Sequence, residues 1–255
     1  MKSRTALVLL SFLLVMIAGT SVAGAEKWTA GAGLAMVPDF IGSDDYEVAP
    51  LPYLTVAFEN HMNVRWVGNR IQANVIPHPI FKAGPVGEYI GERDDVDNNR
   101  VDRMDDVDAS FMLGAFAGFE YEGFNGRIEV MGDVADGNDG IMARLALGWG
   151  TRLAENMRLN LEGFTTWGDD DFMEAYFAVD AADSIRSGLP TYNADSGIYD
   201  VGLNVTYHWN FTGAWSLIGI AGVSQLVGDA DDSSPVVDEG SETQGRLGAI
   251  FTYAF

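Results

Sequence analysis

Residues 246–255 read Arg-Leu-Gly-Ala-Ile-Phe-Thr-Tyr-Ala-Phe. Counting back from Phe255, the residues Phe255, Tyr253, Phe251, Ala249 and Leu247 fall on one face, and Ala254, Thr252, Ile250, Gly248 and Arg246 on the other. Period-two alternation marks a strand whose faces meet different surroundings. A terminal segment is ordinarily frayed and polar, because its residues have little to pack against. Here three aromatic rings line one face instead. Ten residues at a tilt are about what a β-strand needs to cross a bilayer. A soluble sandwich can also close on an apolar strand, so the rest of the chain has to decide.

The opposite end points the same way. Lys2 and Arg4 precede an apolar run over residues 6–18, and Ala23-Gly24-Ala25 matches the A-x-A cleavage pattern of an export signal. The run is short for a membrane anchor. The expectation is therefore a cleaved signal peptide over residues 1–25 and a single domain over residues 26–255, with Glu26 as its first residue. The chain contains no cysteine, which excludes a disulfide framework, thiolate metal sites and a lipoprotein anchor. Its formal charge of -22 disfavours nucleic acid and anionic lipid as partners.

Alternation recurs along the chain, and beyond the leader no stretch approaches the ~20 apolar residues of a membrane helix. The clearest case runs from Ile198 to Trp209. Tyr199, Val201, Leu203, Val205, Tyr207 and Trp209 share one face, opposite Asp200, Gly202, Asn204, Thr206 and His208. Aliphatic residues bracketed by aromatic ones suit a lipid-facing strand, with the rings at the two interfaces. Tyr199, Tyr207 and Trp209 are accordingly expected to belong to a lipid-facing girdle. Residues 141–149, 111–121, 157–161 and 28–36 repeat the pattern. In 111–121, Met112 and Phe116 blur the polar face, and the segment from Trp215 to Val227 is apolar on both. Arg144, Arg158, Asn160, Asp200 and Asn204 fall on polar faces and are candidate lumen residues, lining a channel or filling a closed interior.

Connection lengths test the topology. Short turns are expected near Asn60, at residues 123–126, 153–156 and 210–213. Longer polar connections fall at residues 38–46, 92–106, 135–140, 168–196 and 228–242. Alternating long and short connections are those of an up-and-down membrane barrel. The pattern requires residues 172–179 to belong to an excursion outside the membrane. Residues 62–90 then hold one strand or three, giving ten or twelve in all. Gly68-Asn69 and residues 77–84 can supply the extra turns, which favours twelve. The fold expected is an all-β, closed, antiparallel up-and-down transmembrane β-barrel.

No catalytic motif stands out. His61, His78 and His208 are the three histidines, and none forms a pair with metal-ligand spacing. A G-x-S-x-G elbow, a phosphate loop and a dinucleotide fingerprint are missing. The acidic runs at residues 92–108, 169–171 and 229–232 lack the Gly and distal Glu of a calcium loop. They read as solvated rim loops, bridged to lipopolysaccharide by divalent ions. No enzyme activity, cofactor or metal is expected.

The ending at Phe251, Tyr253 and Phe255 resembles the assembly signal of bacterial outer-membrane barrels. An ordered set of loop motifs narrows the resemblance. Residues 38–46 read PDFIGSDDY and are followed by Pro50-Leu51-Pro52. Next come Gly84-Pro85, the run at 91–95 (GERDD) and residues 106–109 (DVDA). Residues 167–173 (WGDDDFM), 187–190 (SGLP) with Tyr192, and 226–235 (LVGDADDSSP) follow, ending with Gly240-Ser241 and Gln244. In order and spacing these are similar to the MipA/OmpV family, over essentially the whole mature chain. The resemblance implies an outer-membrane barrel of a Gram-negative bacterium. It also implies a non-enzymatic scaffold that joins a lytic transglycosylase to a penicillin-binding protein, with adhesion or permeability as the family's other associations. It assigns no contact residues.

Overall fold

A computed structural model describes residues 25–231 and 233–255. The expected leader lies outside the described residues apart from Ala25, as does Asp232 of the third acidic run. Twelve strands form one closed antiparallel sheet in which each strand pairs with its neighbours in sequence and β12 returns to β1. They are β1 (Ala25–Pro38), β2 (Tyr46–Phe58), β3 (Asn63–Val67), β4 (Arg70–Asn74), β5 (Phe81–Ile90) and β6 (Ser110–Tyr121). The second half comprises β7 (Phe124–Asp133), β8 (Ile141–Ala154), β9 (Met157–Gly168), β10 (Gly197–Thr212), β11 (Trp215–Leu226) and β12 (Thr243–Ala254). Residues 62–90 thus hold three strands, the larger of the two alternatives. β3 and β4 are only five residues each and make a low hairpin in the wall.

Closure depends on close backbone approach along the seam between β1 and β12. Gly33 lies opposite Ile250, and a Cβ on Gly33 would stand 1.9 Å from the Ala249 carbonyl oxygen. Only glycine fits there. At the short-turn end the β6–β7 hairpin turns through Glu122 (φ 50) and Gly123 (φ 88). Positive φ at both central residues gives the turn that matches strand twist.

Side chains sort by strand parity. Leu34, Leu145, Leu203 and Leu247 point outward, Leu203 and Leu247 more than 60% exposed (62% and 63%). Such a continuous aliphatic belt is satisfied by lipid chains rather than water, and a closed sheet leaves no unpaired edge inside the bilayer. Aromatic rings border the belt. Tyr89, Phe111 and Trp167 stand toward the long loops, while Phe124, Trp149, Trp209, Trp215 and Phe255 stand toward the short turns. The chain is a closed transmembrane β-barrel. β11, apolar on both faces, turns Ser216, Ile218, Ser224 and Leu226 inward and Trp215 and Val223 outward.

The long connections fold together above the barrel. Residues 169–196 carry two helices, α1 (Asp170–Phe177) and α2 (Ala181–Ser187), and residues 227–242 carry a short turn of helix, α3 (Pro235–Asp238). Phe40, Val96, Val101, Met104, Val179, Leu189 and Val236, contributed by four different loops, bury one another. The loops therefore share a core of their own above the membrane.

Candidate functional site

The interior has three levels, and charge, shape and access differ between them. The middle level is a network of inward-facing ions. From β4, β5, β7, β8 and β9 respectively come Arg70, Glu88, Arg127 with Glu129, Arg144, and Glu162. Arg144 Nη1 and Arg70 Nη1 both donate to Glu88 Oε2 at 2.9 Å. Arg70 also pairs with Glu129. Arg127 donates to Glu129 at 2.9 Å and binds both oxygens of Glu162, at 2.5 and 3.1 Å. Asn204 adds a further donor to Glu162 at 3.4 Å. On the facing wall, Arg246 stands with its guanidinium carbon 5.3 Å from the ring centroid of Phe164, a cation–π contact. The alternating signs neutralise one another across a space that an open pore would leave to water.

The upper level is a seal. α1 starts at Asp169, whose side chain caps the helix by accepting from the Phe172 backbone N–H at 3.1 Å and from Ile141 at 2.9 Å, tying the helix start to β8. Phe172, Met173, Tyr176 and Phe177, at positions i, i+1, i+4 and i+5, share one helical face and are all buried. They pack down on Met112, Phe116, Met131 and Met142 of the wall. Residues 172–179 thus stay outside the strand wall, as expected, but turn inward over the mouth. Arg93 holds the helix end, donating to the Tyr176 carbonyl at 3.2 Å and to the Asp105 carbonyl at 3.3 Å. Burial lowers the Arg93 guanidinium below its ordinary value. Asn138 donates to the Tyr176 hydroxyl at 3.2 Å.

One girdle expectation is overturned here. Tyr199 does not face lipid. The register of β10 against β9 shifts between Ile198 and Asp200, and this bulge places two residues where alternation allows one. Ile198 takes the outward position at 50% exposure, while Tyr199 turns inward and is 5% exposed. Its ring stacks on Phe172 at 5.1 Å and lies 5.8 Å from Phe177, making it part of the seal. Trp209 faces outward beside Phe211, centroids 5.6 Å apart, and Tyr207 is half-buried on the same side.

The lower level is open. Below the ions, Asn125 bonds to Asn160 at 3.2 Å. Beneath them a cavity of about 370 Å³ opens toward the short turns, lined by Gly150, Arg152, Arg158, Asn160, Thr206 and His208 among others. Of the lumen candidates, Arg144 and Asn204 lie in the ion network, Asp200 stands opposite Thr166 just beneath the seal, and Arg158 and Asn160 line the lower cavity. Glu88, Glu129, Glu162, Arg70 and Arg127 were missing from that set. Their signal was available, since each falls on an inward parity once its strand is placed. At the seam, Phe255 donates its backbone N–H to the Trp28 carbonyl at 2.9 Å and packs its ring 5.6 Å from Trp28 and 4.9 Å from Tyr253.

A family model described as MltA-interacting protein MipA matches residues 30–255. The chain belongs to the MltA-interacting protein (MipA) family. Two relatives named MltA-interacting protein, from Escherichia coli (strain K12) and Shigella flexneri, are each 27% identical over 265 residues, covering 98% of this chain and 100% of theirs. Among solved structures, an outer membrane channel from Pseudomonas putida F1 is 9% identical with a TM-score of 0.45, covering 93% of this chain and 100% of that one. The NanC porin is 8% identical with a TM-score of 0.44, covering 89% and 98%. The family match thus covers nearly the whole barrel.

Proposed function

We propose that this MipA-family barrel is a non-enzymatic, non-conducting scaffold that docks cell-wall enzymes at the periplasmic face of the outer membrane. The observation that carries the reading is the seal. Phe172 and Phe177 close the outer mouth against Tyr199 and three wall methionines, and the neutralised ion network lies beneath. A barrel closed in this way offers solutes no continuous path, while its short-turn end stays accessible from the periplasm. The relatives are named for an interaction with MltA. By the family resemblance the partner here is a lytic transglycosylase, with a penicillin-binding protein as a second. Membrane lipid against the outer belt and lipopolysaccharide at the acidic rim complete the expected surroundings.

The test uses the folded barrel in mild detergent and in planar bilayers. Retention of a lytic transglycosylase from the same organism, with no steady conductance, supports the scaffold. A stable single-channel conductance that survives loop cross-linking overturns it in favour of a channel, and failure to retain a partner at low salt overturns the docking role.

A further inference from the structure

We propose that the periplasmic vestibule of the barrel is a binding site for a small oxyanion carrying two negative charges. The argument begins with register. Arg152 on β8 lies directly opposite Arg158 on β9, and Arg158 lies directly opposite His208 on β10. Side chains at directly opposed positions stand about 5 Å apart, and like charges placed there repel. The chain sets two guanidinium groups and an imidazole in one row across three adjacent strands, although it has only 15 Lys and Arg against 37 Asp and Glu.

The interior arginines above show what a committed cation looks like. Arg70, Arg127 and Arg144 each hold a carboxylate at hydrogen-bonding distance. Among the described residues, no carboxylate comes within 4.0 Å of Arg152 or Arg158; such ion pairs are formed higher in the barrel and in the loops above it. The nearest acid in sequence, Glu155, lines a second cavity of about 300 Å³ that Arg158 and His208 also border, without pairing with either arginine.

Space accompanies the charge. One row deeper the register runs Gly150, Asn160, Thr206. Gly150 contributes no side chain, so the wall recedes there, and a Cβ at that position would come within 3.2 Å of Asn160 Oδ1. The result is a recess of about 370 Å³ with an amide and a hydroxyl in its roof and the two arginines at its rim. That volume lies in the range of small-molecule pockets. Guanidinium forks bind phosphate and carboxylate oxygens in pairs, and the charges of two arginines are balanced by one dianion. Phosphate and dicarboxylate groups share this chemistry. The site is independent of any docked enzyme and stands or falls apart from the scaffold reading.

The test uses the full folded barrel in uncharged detergent and chloride buffer, titrated calorimetrically with inorganic phosphate and, separately, with succinate. Saturable one-to-one binding of either probe is expected, weakened at least tenfold in Arg158→Gln and abolished in the double variant Arg152→Gln/Arg158→Gln. The probe that binds identifies the class. Without anion, Arg158→Gln should melt at or above the parent temperature, because it relieves repulsion, and it should lose the upward shift that the anion confers on the parent. Failure of both probes to bind, or binding that persists in the double variant, overturns the site. So does an unliganded Arg158→Gln that melts well below the parent, since the arginine would then be held by contacts of its own.

Discussion

Glu88 on β5 and Arg144 on β8 meet inside the barrel at 2.9 Å, although two other strands separate them in the wall. The pair is a chord across the lumen, and Arg70 shares the same carboxylate oxygen. Both side chains are largely buried. Removing one partner of such a pair leaves uncompensated buried charge, which costs about 3 kcal/mol or more. Glu88→Gln should therefore lower the unfolding free energy by roughly 3 kcal/mol, measured by urea titration in lipid vesicles. Adding Arg144→Met should restore part of the loss, because the two sites share an interaction and their effects do not add. An additive double variant would show that the chord contributes little.

The seal predicts a proteolytic signature. Phe172 and Phe177 are fully buried, and truncating a buried Phe to Ala costs about 3–5 kcal/mol. The rest of the barrel is held by its ladders, so the loss should appear as local opening of residues 169–196. Arg186 on α2 is part-exposed, held by Asp183 at 2.5 Å and Asp105 at 2.6 Å, and offers trypsin a site. Phe172→Ala/Phe177→Ala should raise the rate of cleavage at Arg186 at least tenfold while the barrel keeps its folded mobility on gels. Unchanged cleavage would mean that the ion pairs hold the loop without the aromatic seal.

Tyr176 gives the same seal a pH dependence. Burial raises its hydroxyl above the ordinary tyrosine value of 10.0. For an acid that is neutral when protonated, a raised folded value means the unfolded segment loses its proton first. The stabilisation is complete below pH 10 and declines as pH rises through the higher folded value. Cleavage at Arg186 should accelerate above about pH 10. Tyr176→Phe should flatten that rise, at the cost of the hydroxyl's bond to Asn138, which is worth about 1 kcal/mol. A variant retaining the full alkaline acceleration would assign it to another group.

Much of this architecture is legible in the residues, and the exceptions share a cause. Strand parity groups residues by face, and the structure turns Leu203, Leu247 and Phe251 outward and brings Arg144 and Asn204 into the interior ion network. Parity fails where register slips, and the slip at Ile198 turned Tyr199 from the lipid to the seal. Nothing local in Gly197-Ile198-Tyr199-Asp200 announces it, because the bulge satisfies the ring's packing against Phe172, a residue in a different loop. The helix over residues 170–177 carried a readable signal in the spacing of Phe172, Met173, Tyr176 and Phe177 and in the cap at Asp169. Its direction, inward rather than away, depends on the apolar floor of Met112, Met131 and Met142. The ion network illustrates the same limit. Faces were readable, but the meeting of Glu88 with Arg144 is fixed by barrel curvature and strand stagger.

The last prediction concerns the seam. Phe255 closes β12 onto β1 by a backbone bond to Trp28, and its ring joins Trp28 and Tyr253 in an outward aromatic cluster at the short-turn end. Next to it Tyr253 packs edge-on against Trp215 at 5.0 Å, so the rings link β1, β12 and β11. Aromatic pairs contribute about 0.5–1.5 kcal/mol beyond the area they bury, and interfacial rings fix a strand's depth in the membrane. Deleting Phe255 removes one backbone bond and two ring contacts where the sheet must close. The variant should reach the outer membrane in a reduced folded fraction, read as loss of the compact, heat-modifiable band. Phe255→Leu keeps the backbone bond and an apolar side chain, and should show an intermediate defect. Equal folded yields for the deletion and the parent would mean that the ladder from Thr29 to Met36 closes the barrel without help from the rings.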